Sequence, residues 1–509
     1  MACNNSGERR FMNYLTIDSR SFRNSLWFAL AGLLTFVGGC AVGPNYKRPT
    51  TPTPQVFKEQ PPEGWKQAEP NAAIPRGKWW EIYNDPQLNA LEEQVNISNQ
   101  NVLAAAAQYR EARDAVRIAR SSLFPTATTS PSVTEQRVVG SVTTPGPPPA
   151  TTRTASVQTL YDLPVDVSYQ ADVWGNIRRS VTASYASAQA SFADLENARL
   201  SYQAQLAEFY FQLHGQDGDI DLLERTVKAY AEYLKLTQDR FELGVASGAD
   251  VAQAKTQLDT ARAELIDLQV ARAQFEHAIA ILIGKPPADL TIAPMVLKTP
   301  PPAVPIALPS TLLERRPDIA ASERQMAAAN EQIGIAKSAY FPAVLLSASG
   351  GFEATRLSQW LTASSGVWSL GMQLAETLFD AGKRRAQLDS ARAAYDVTVA
   401  NYRQTSLTAF QQVEDNLAAL RILEQEAAAT DAAVTDAEES LAISTDQYKA
   451  GIATYLQVIT AQTFALQNEK SAVDILTRRM TASVLLIEAL GGGWDASQMP
   501  KRDDILANK

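Results

Sequence analysis

The sequence predicts a mainly α-helical protein with a small β part, built as an internal tandem repeat of long coiled-coil helical hairpins with β-hairpins set between them. Three observations carry this. From Lys383 to Leu490 the chain is dominated by strong helix formers, with no proline between Pro342 and Pro500. Small or apolar residues recur there three and four apart, as in Val458, Ala461, Ala465, Ala472, Ile475, Ala482, Leu486 and Ala489, the spacing of a coiled-coil seam. Second, the pattern occurs twice: Phe241-Glu-Leu-Gly244-Val-Ala-Ser247 aligns with Tyr448-Lys-Ala-Gly451-Ile-Ala-Thr454, and the out-of-place Arg272 returns as Arg479. Third, two stretches change from helical periodicity to strict alternation, the mark of a strand with one apolar and one polar face.

The N-terminus, residues 1–39, has the form of a lipoprotein signal peptide. Arg20 and Arg23 precede an apolar run from Leu26 to Val37, too short for the roughly 20 residues of a spanning helix. Small residues then lead into Cys40, the predicted site of lipidation and the mature N-terminus. The only other cysteine, Cys3, lies in the leader, so neither a disulfide framework nor a thiol catalyst remains. Without its four basic and two acidic leader residues the chain carries a net charge of -11, which argues against nucleic acid as a partner.

Residues 40–85 are rich in proline and polar side chains and form an extended strap. Trp79-Trp80 and Asp85-Pro86 end it, with Asp85 as N-cap and Pro86 in the first helical position. The first repeat, 86–286, then runs as a helix to about Leu123, a β-hairpin over about 126–173, a long helix, a tip at about 241–250 and a returning helix. In the hairpin Leu163, Val165, Val167, Tyr169, Ala171 and Val173 alternate with polar residues, Thr126 to Val139 makes a weaker strand, and Gly140 to Thr154 is read as the loop. The long arm shows a seam at Ala188, Leu195, Tyr202 and Phe209. A proline-rich crossover, 287–310, leads to the second repeat, 311–493, with its β-hairpin over about 343–378, a shorter loop and a tip at about 448–454, followed by a tail, 494–509. A continuous arm from Lys383 to Tyr448 would be roughly 100 Å long, far more than a compact core needs.

Four strands cannot close a membrane barrel, because about eight is the practical minimum and open edges are excluded from lipid. If the hairpins enter a membrane, the chain must borrow strands from copies of itself, and three copies give twelve. The alternative is a small soluble sheet capping the coiled coils. An enzyme finds little support: His214 and His277 are the only histidines, and the sequence has no GxSxG, GxxxxGK or HExxH. No cofactor or metal is expected.

The chain resembles the TolC-type outer membrane factors, and more closely the NodT or OprM-like efflux lipoproteins. The resemblance rests on Cys40-Ala-Val-Gly-Pro-Asn-Tyr-Lys-Arg-Pro49, Trp79-Trp80 with Asp85-Pro86-Gln-Leu88, Leu312-Leu-Glu-Arg-Arg-Pro-Asp-Ile319, the two Phe-Pro pairs and Ala489-Leu-Gly-Gly-Gly-Trp494. It implies a homotrimer with a twelve-stranded outer-membrane β-barrel and a periplasmic α-helical tunnel, anchored by lipid and performing no chemistry. Its partners are then a periplasmic adaptor protein and an inner-membrane pump of the RND class. The tip residues Phe241, Gly244, Ser247, Tyr448, Gly451 and Thr454 are the candidates for adaptor contact. Related channels ring the closed mouth with acidic residues on the returning helices. Asp250 matches such a position, with a helix N-cap as its simpler role, whereas Gln457 and Thr460 stand where aspartate is usual. The same architecture would serve a type I protein-secretion channel, or a non-conducting envelope-spanning lipoprotein that bilayer conductance would separate from a channel.

Overall fold

The structure is a computed structural model that describes residues 41–60, 62, 77–148, 150–305 and 309–507. The predicted signal peptide and Cys40 lie outside the described residues. Contacts divide the chain into two units, one from 1–45, 119–181 and 331–391, the other from 46–118, 182–330 and 392–509.

The second unit is helical. Helix α1 (Pro86–Ser98) starts at Asp85, whose carboxylate accepts from the N–H groups of Gln87 and Leu88 at 2.9 and 3.1 Å and from the Tyr210 hydroxyl at 2.6 Å. The helix expected to continue to about Leu123 breaks at Asn99, and α2 (Gln100–Ser121) begins anew. The cause is local: Asn99 is extended and its Oδ1 accepts from the N–H groups of Asn101 and Val102, while its Nδ2 donates to the Leu282 carbonyl at 2.8 Å. The second repeat breaks in the same place by other means. Between α5 (Pro309–Arg315) and α6 (Pro317–Ser338), Arg316 donates to the carbonyl of Ala489, the residue 207 positions after Leu282. Both pins need a glycine beside them. A Cβ on Gly284 would stand 2.2 Å from the Ser98 carbonyl oxygen, and one on Gly491 2.0 Å from that of Arg315.

The duplication is preserved in the long elements. Helices α3 (Asn176–Glu242) and α7 (Lys383–Lys449) each have 67 residues, and the returning helices α4 (Gly248–Leu282) and α8 (Tyr455–Ala489) each have 35. Their largest core gathers Trp79, Trp80, Tyr210, Phe211, Tyr402, Ile279 and Leu486. The strap lies on this core: Tyr46 donates to Glu323 at 2.5 Å, Arg48 to Tyr402 at 3.0 Å, and the N–H groups of Lys58 and Glu59 to Glu414 at 2.7 and 2.9 Å. Near the C-terminus a short helix, α9 (Arg502–Leu506), seats Ile505 with Val116 and Ala188.

The first unit holds an antiparallel sheet. β1 (Thr126–Thr129) and β2 (Ser132–Thr144) pair along one edge of β3 (Ala150–Ala171) in one unshifted register, interrupted at Pro131, which has no N–H to give the ladder. β3 pairs on its other side with β4 (Ala343–Ala354), and β4 with β5 (Gly366–Ala375). Pro164 sits in mid-strand, opposite Gly351 of β4. Two expectations need correction. Pairing in the first hairpin runs out to Thr144↔Ala150, so its loop shrinks from 140–154 to 145–149; the β-branched residues Val138 and Val139 favour continuing the ladder. The second loop, 355–365, expected to be the shorter, is the longer of the two, and the strands beside it are the shorter ones.

Candidate membrane sheet and hairpin tips

Among the described residues no helix is long and apolar enough to cross a membrane. The sheet has a different character. Its registers place Val165, Val167, Tyr169 and Ala171 of β3 beside Gly350, Ala348, Leu346 and Val344 of β4, and these beside Trp368, Leu370, Met372 and Leu374 of β5. The face is apolar across β3, β4 and β5, while Asp162, Asp166, Ser168, Gln170, Ser347, Ser349 and Gln373 point to the other side. Among the described residues nothing covers its β5 end: Trp368 is 79% and Leu370 76% exposed.

The β3–β4 ladder extends over eleven residue pairs, Tyr161 to Ala171 on β3, against the roughly 9–11 residues a membrane strand needs. Aromatic groups stand at both ends. Tyr161 meets Trp360 with centroids 5.7 Å apart, and Trp174 stacks on Phe341 at 4.8 Å while donating to the Pro342 carbonyl at 2.8 Å. Beyond Tyr161 the β2–β3 ladder continues without β4. Both sheet edges, β1–β2 and β5, lack a partner strand among the described residues.

The tips belong to the helical unit. Gly244 and Gly451 have φ of +75° and +77°, the left-handed conformation that ends a helix and that a side chain disfavours. Each is flanked by exposed apolar side chains, Leu243 and Val245 in the first tip and Ile452 and Leu456 in the second, with Phe241 half exposed beside them. Ser247, not Asp250, is the N-cap of α4. Its N–H and hydroxyl donate to the Asp250 carboxylate at 2.9 Å, and the Asp250 N–H donates back to the hydroxyl at 3.2 Å, a reciprocal capping box. In the second repeat Thr454 is the N-cap of α8 without a side-chain hydrogen bond, and the third helical position holds Gln457, exposed and uncharged. Thr460 is exposed and returns its hydroxyl to the Leu456 carbonyl at 2.8 Å. Tyr448 is 3% exposed, packed with Tyr455 at 5.4 Å between centroids, so it is a joint of the tip rather than a surface for contact.

The outer membrane efflux protein family model matches residues 91–285 and 308–492, one segment in each repeat. The chain belongs to the outer membrane efflux protein family. A probable efflux pump outer membrane protein of Pseudomonas putida, TtgC, is 32% identical over 473 residues, 92% of this chain and 95% of that protein. The solved outer-membrane channel OprN superposes with a TM-score of 0.79 at 29% identity, covering 89% of this chain and 100% of that one. The outer membrane protein VceC of Vibrio cholerae gives 0.75 at 28% identity, covering 82% and 99%. This efflux protein is accordingly an outer-membrane channel component and not an enzyme.

What sequence reasoning missed in the efflux protein is the lock between its two tips. Arg240 of α3 donates to the Lys449 carbonyl at the end of α7, Tyr233 and Thr445 share a hydroxyl hydrogen bond of 2.9 Å, and Tyr448 donates to Thr237 at 3.4 Å. Arg240 stood in the sequence among many charged residues with nothing to single it out.

Proposed function

We propose that three copies of this chain join their sheets edge to edge into one twelve-stranded barrel in the outer membrane, continued by an α-helical tunnel through the periplasm. The observation that carries this reading is the apolar face of the sheet between two unpaired edges. Open edges are not tolerated in lipid, and each protomer supplies four strand positions, so copies of the chain must close the sheet, and three, the number the family resemblance implies, give twelve strands. Acylation at Cys40 would add a lipid anchor. At the far end, the exposed apolar residues around Gly244 and Gly451, with Phe241, Ser247 and Thr454, are the proposed contact for a periplasmic adaptor, which links the conduit to an inner-membrane pump of the RND class. Relatives named for antibiotic and toluene efflux favour small organic molecules as cargo.

Native mass spectrometry of the purified protein, paired with planar-bilayer recording, tests the reading. A trimer of diacylated or triacylated chains that conducts is expected. A monomer, or a trimer without conductance, overturns it, and an unmodified Cys40 in mature active protein removes the lipid anchor alone.

A further inference from the structure

Arg272 and Arg479 occupy equivalent positions on the two returning helices and are equally buried, each side chain 17% exposed. Their surroundings differ. The Arg272 guanidinium donates to Asp217 at 2.6 Å and to the Ile292 carbonyl at 2.8 Å, with Glu276 3.7 Å away. Burial alone would push the Asp217 carboxyl up. Hydrogen bonds from His214, the Met295 N–H and Arg272 outweigh that and hold it below its ordinary value. The first repeat therefore closes a complete carboxylate–guanidinium site with the crossover that follows α4.

In the second repeat the same places are filled by poorer partners. Glu424 replaces Asp217, lies 3.8 Å from Arg479 and is 42% exposed. Ser483 replaces Glu276, and its hydroxyl is already engaged with Tyr83 and the Met480 carbonyl. Among the described residues nothing hydrogen-bonds to the Arg479 guanidinium, and its Nε is buried without a partner. A cavity of about 390 Å³ opens there, lined by Arg479 and Lys298 and by the apolar side chains of Val296, Leu297, Val473 and Leu476. Among the described residues, His214 forms part of its wall, with a buried Nε2 that has no partner, and Asp431 is its one acidic lining residue. Lys298 makes no ion pair among the described residues, so cationic groups outnumber anionic ones on the wall.

We propose that this cavity binds a small amphipathic carboxylate, its anionic head held by Arg479 and Lys298 and its apolar body by Val296, Leu297, Val473 and Leu476. The ligand supplies to Arg479 what Asp217 and the Ile292 peptide supply to Arg272. A planar guanidinium is suited to carboxylate, and the volume lies in the range of ordinary small-molecule sites. Because the ligand would bridge α8 to the crossover, it would stabilise the fold. The inference goes beyond the channel reading and does not depend on it.

Calorimetry and thermal melting of the detergent-solubilised full chain, with benzoate as probe and benzamide as its uncharged counterpart, provide the test. Benzoate should bind saturably and raise the melting temperature, with benzamide about tenfold weaker or more. Arg479→Gln should weaken benzoate about tenfold and Lys298→Gln about threefold, without changing benzamide. Glu424→Gln removes the competing carboxylate and should tighten benzoate. Should Arg479→Gln fail to fold, Lys298→Gln, at an exposed position, and Glu424→Gln decide the matter. Absence of benzoate binding, equal affinity for benzamide, or affinities unmoved by these substitutions would overturn the proposal. None of these readouts uses conductance or subunit count, so failure here and failure of the channel reading are distinguishable.

Discussion

The guanidinium of Arg240 lies over the ring of Tyr448, 4.6 Å from its centroid, and donates to the Lys449 carbonyl at 3.1 Å. One side chain of the first hairpin thus covers the aromatic joint of the second and satisfies a terminal carbonyl of α7, where a positive charge also suits the helix dipole. This contact holds the two tips as a pair.

Arg240→Leu should loosen that pairing by about 1–2 kcal/mol, the sum of a cation–π contact and a charge-assisted hydrogen bond. Hydrogen exchange at the last turn of α7 should accelerate roughly fivefold to thirtyfold while the melting temperature of the whole chain barely moves. Unchanged exchange in that turn would mean that Tyr233, Thr445 and Tyr448 hold the tips without Arg240.

One substitution separates the capping role of Asp250 from the proposed acidic ring at the mouth. In Asp250→Asn the amide oxygen can still accept from Ser247, so capping loses only the interaction of the charge with the helix dipole, about 0.3–1 kcal/mol. If the three carboxylates of a trimer ring the mouth, the same change should lower cation selectivity. Gln457→Glu places the charge at the duplicate position and Thr460→Asp one turn further, and both should raise it. Reversal potentials under a salt gradient check this; values that stay put in all three variants leave Asp250 as a capping residue only.

Much of the fold was legible because its signals are periodic and copied. The heptads gave four long helices, and the 207-residue offset recurs in their equal lengths and in the glycines at 244 and 451. The rest depended on partners distant in sequence. The break at Asn99 follows from a carbonyl on α4, and no local pattern announces it. The β2–β3 ladder beyond Gly140 was obscured by a run of prolines that proved confined to the turn. At the tips, the sequence marked Tyr448 only as a candidate for adaptor contact, and the packing of Tyr455 and Arg240 against it explains why it is buried.

Gly351 faces Pro164 across the β3–β4 ladder, and a Cβ there would stand 2.1 Å from the Leu163 carbonyl oxygen and 2.9 Å from the Pro164 Cα. Both are backbone atoms that cannot move without parting the strands. Gly351→Ala should therefore disrupt the sheet and reduce outer-membrane insertion severely. Gly350→Ala is the control, because its nearest neighbour would be 3.9 Å away. Equal amounts of heat-resistant assembled protein from the two variants in outer-membrane fractions would contradict the close approach of these strands.

Glu208 of α3 gives the chain a stability that depends on pH. Burial, and then the charge of Glu488, push its carboxyl from 4.5 up to about 7. Between these values the native chain binds a proton that the unfolded chain has released, so stability falls as pH rises through this window and the full cost is carried above it. Glu208→Gln removes the charge and keeps the shape. The variant should match the wild type near pH 4.5 and exceed it at pH 8 by about 1–3 kcal/mol. Denaturant unfolding at both values measures the difference directly. A gain of the same size at the two pH values would trace the effect to packing, and no gain at pH 8 would mean that the Glu208 carboxylate is well solvated in the folded chain.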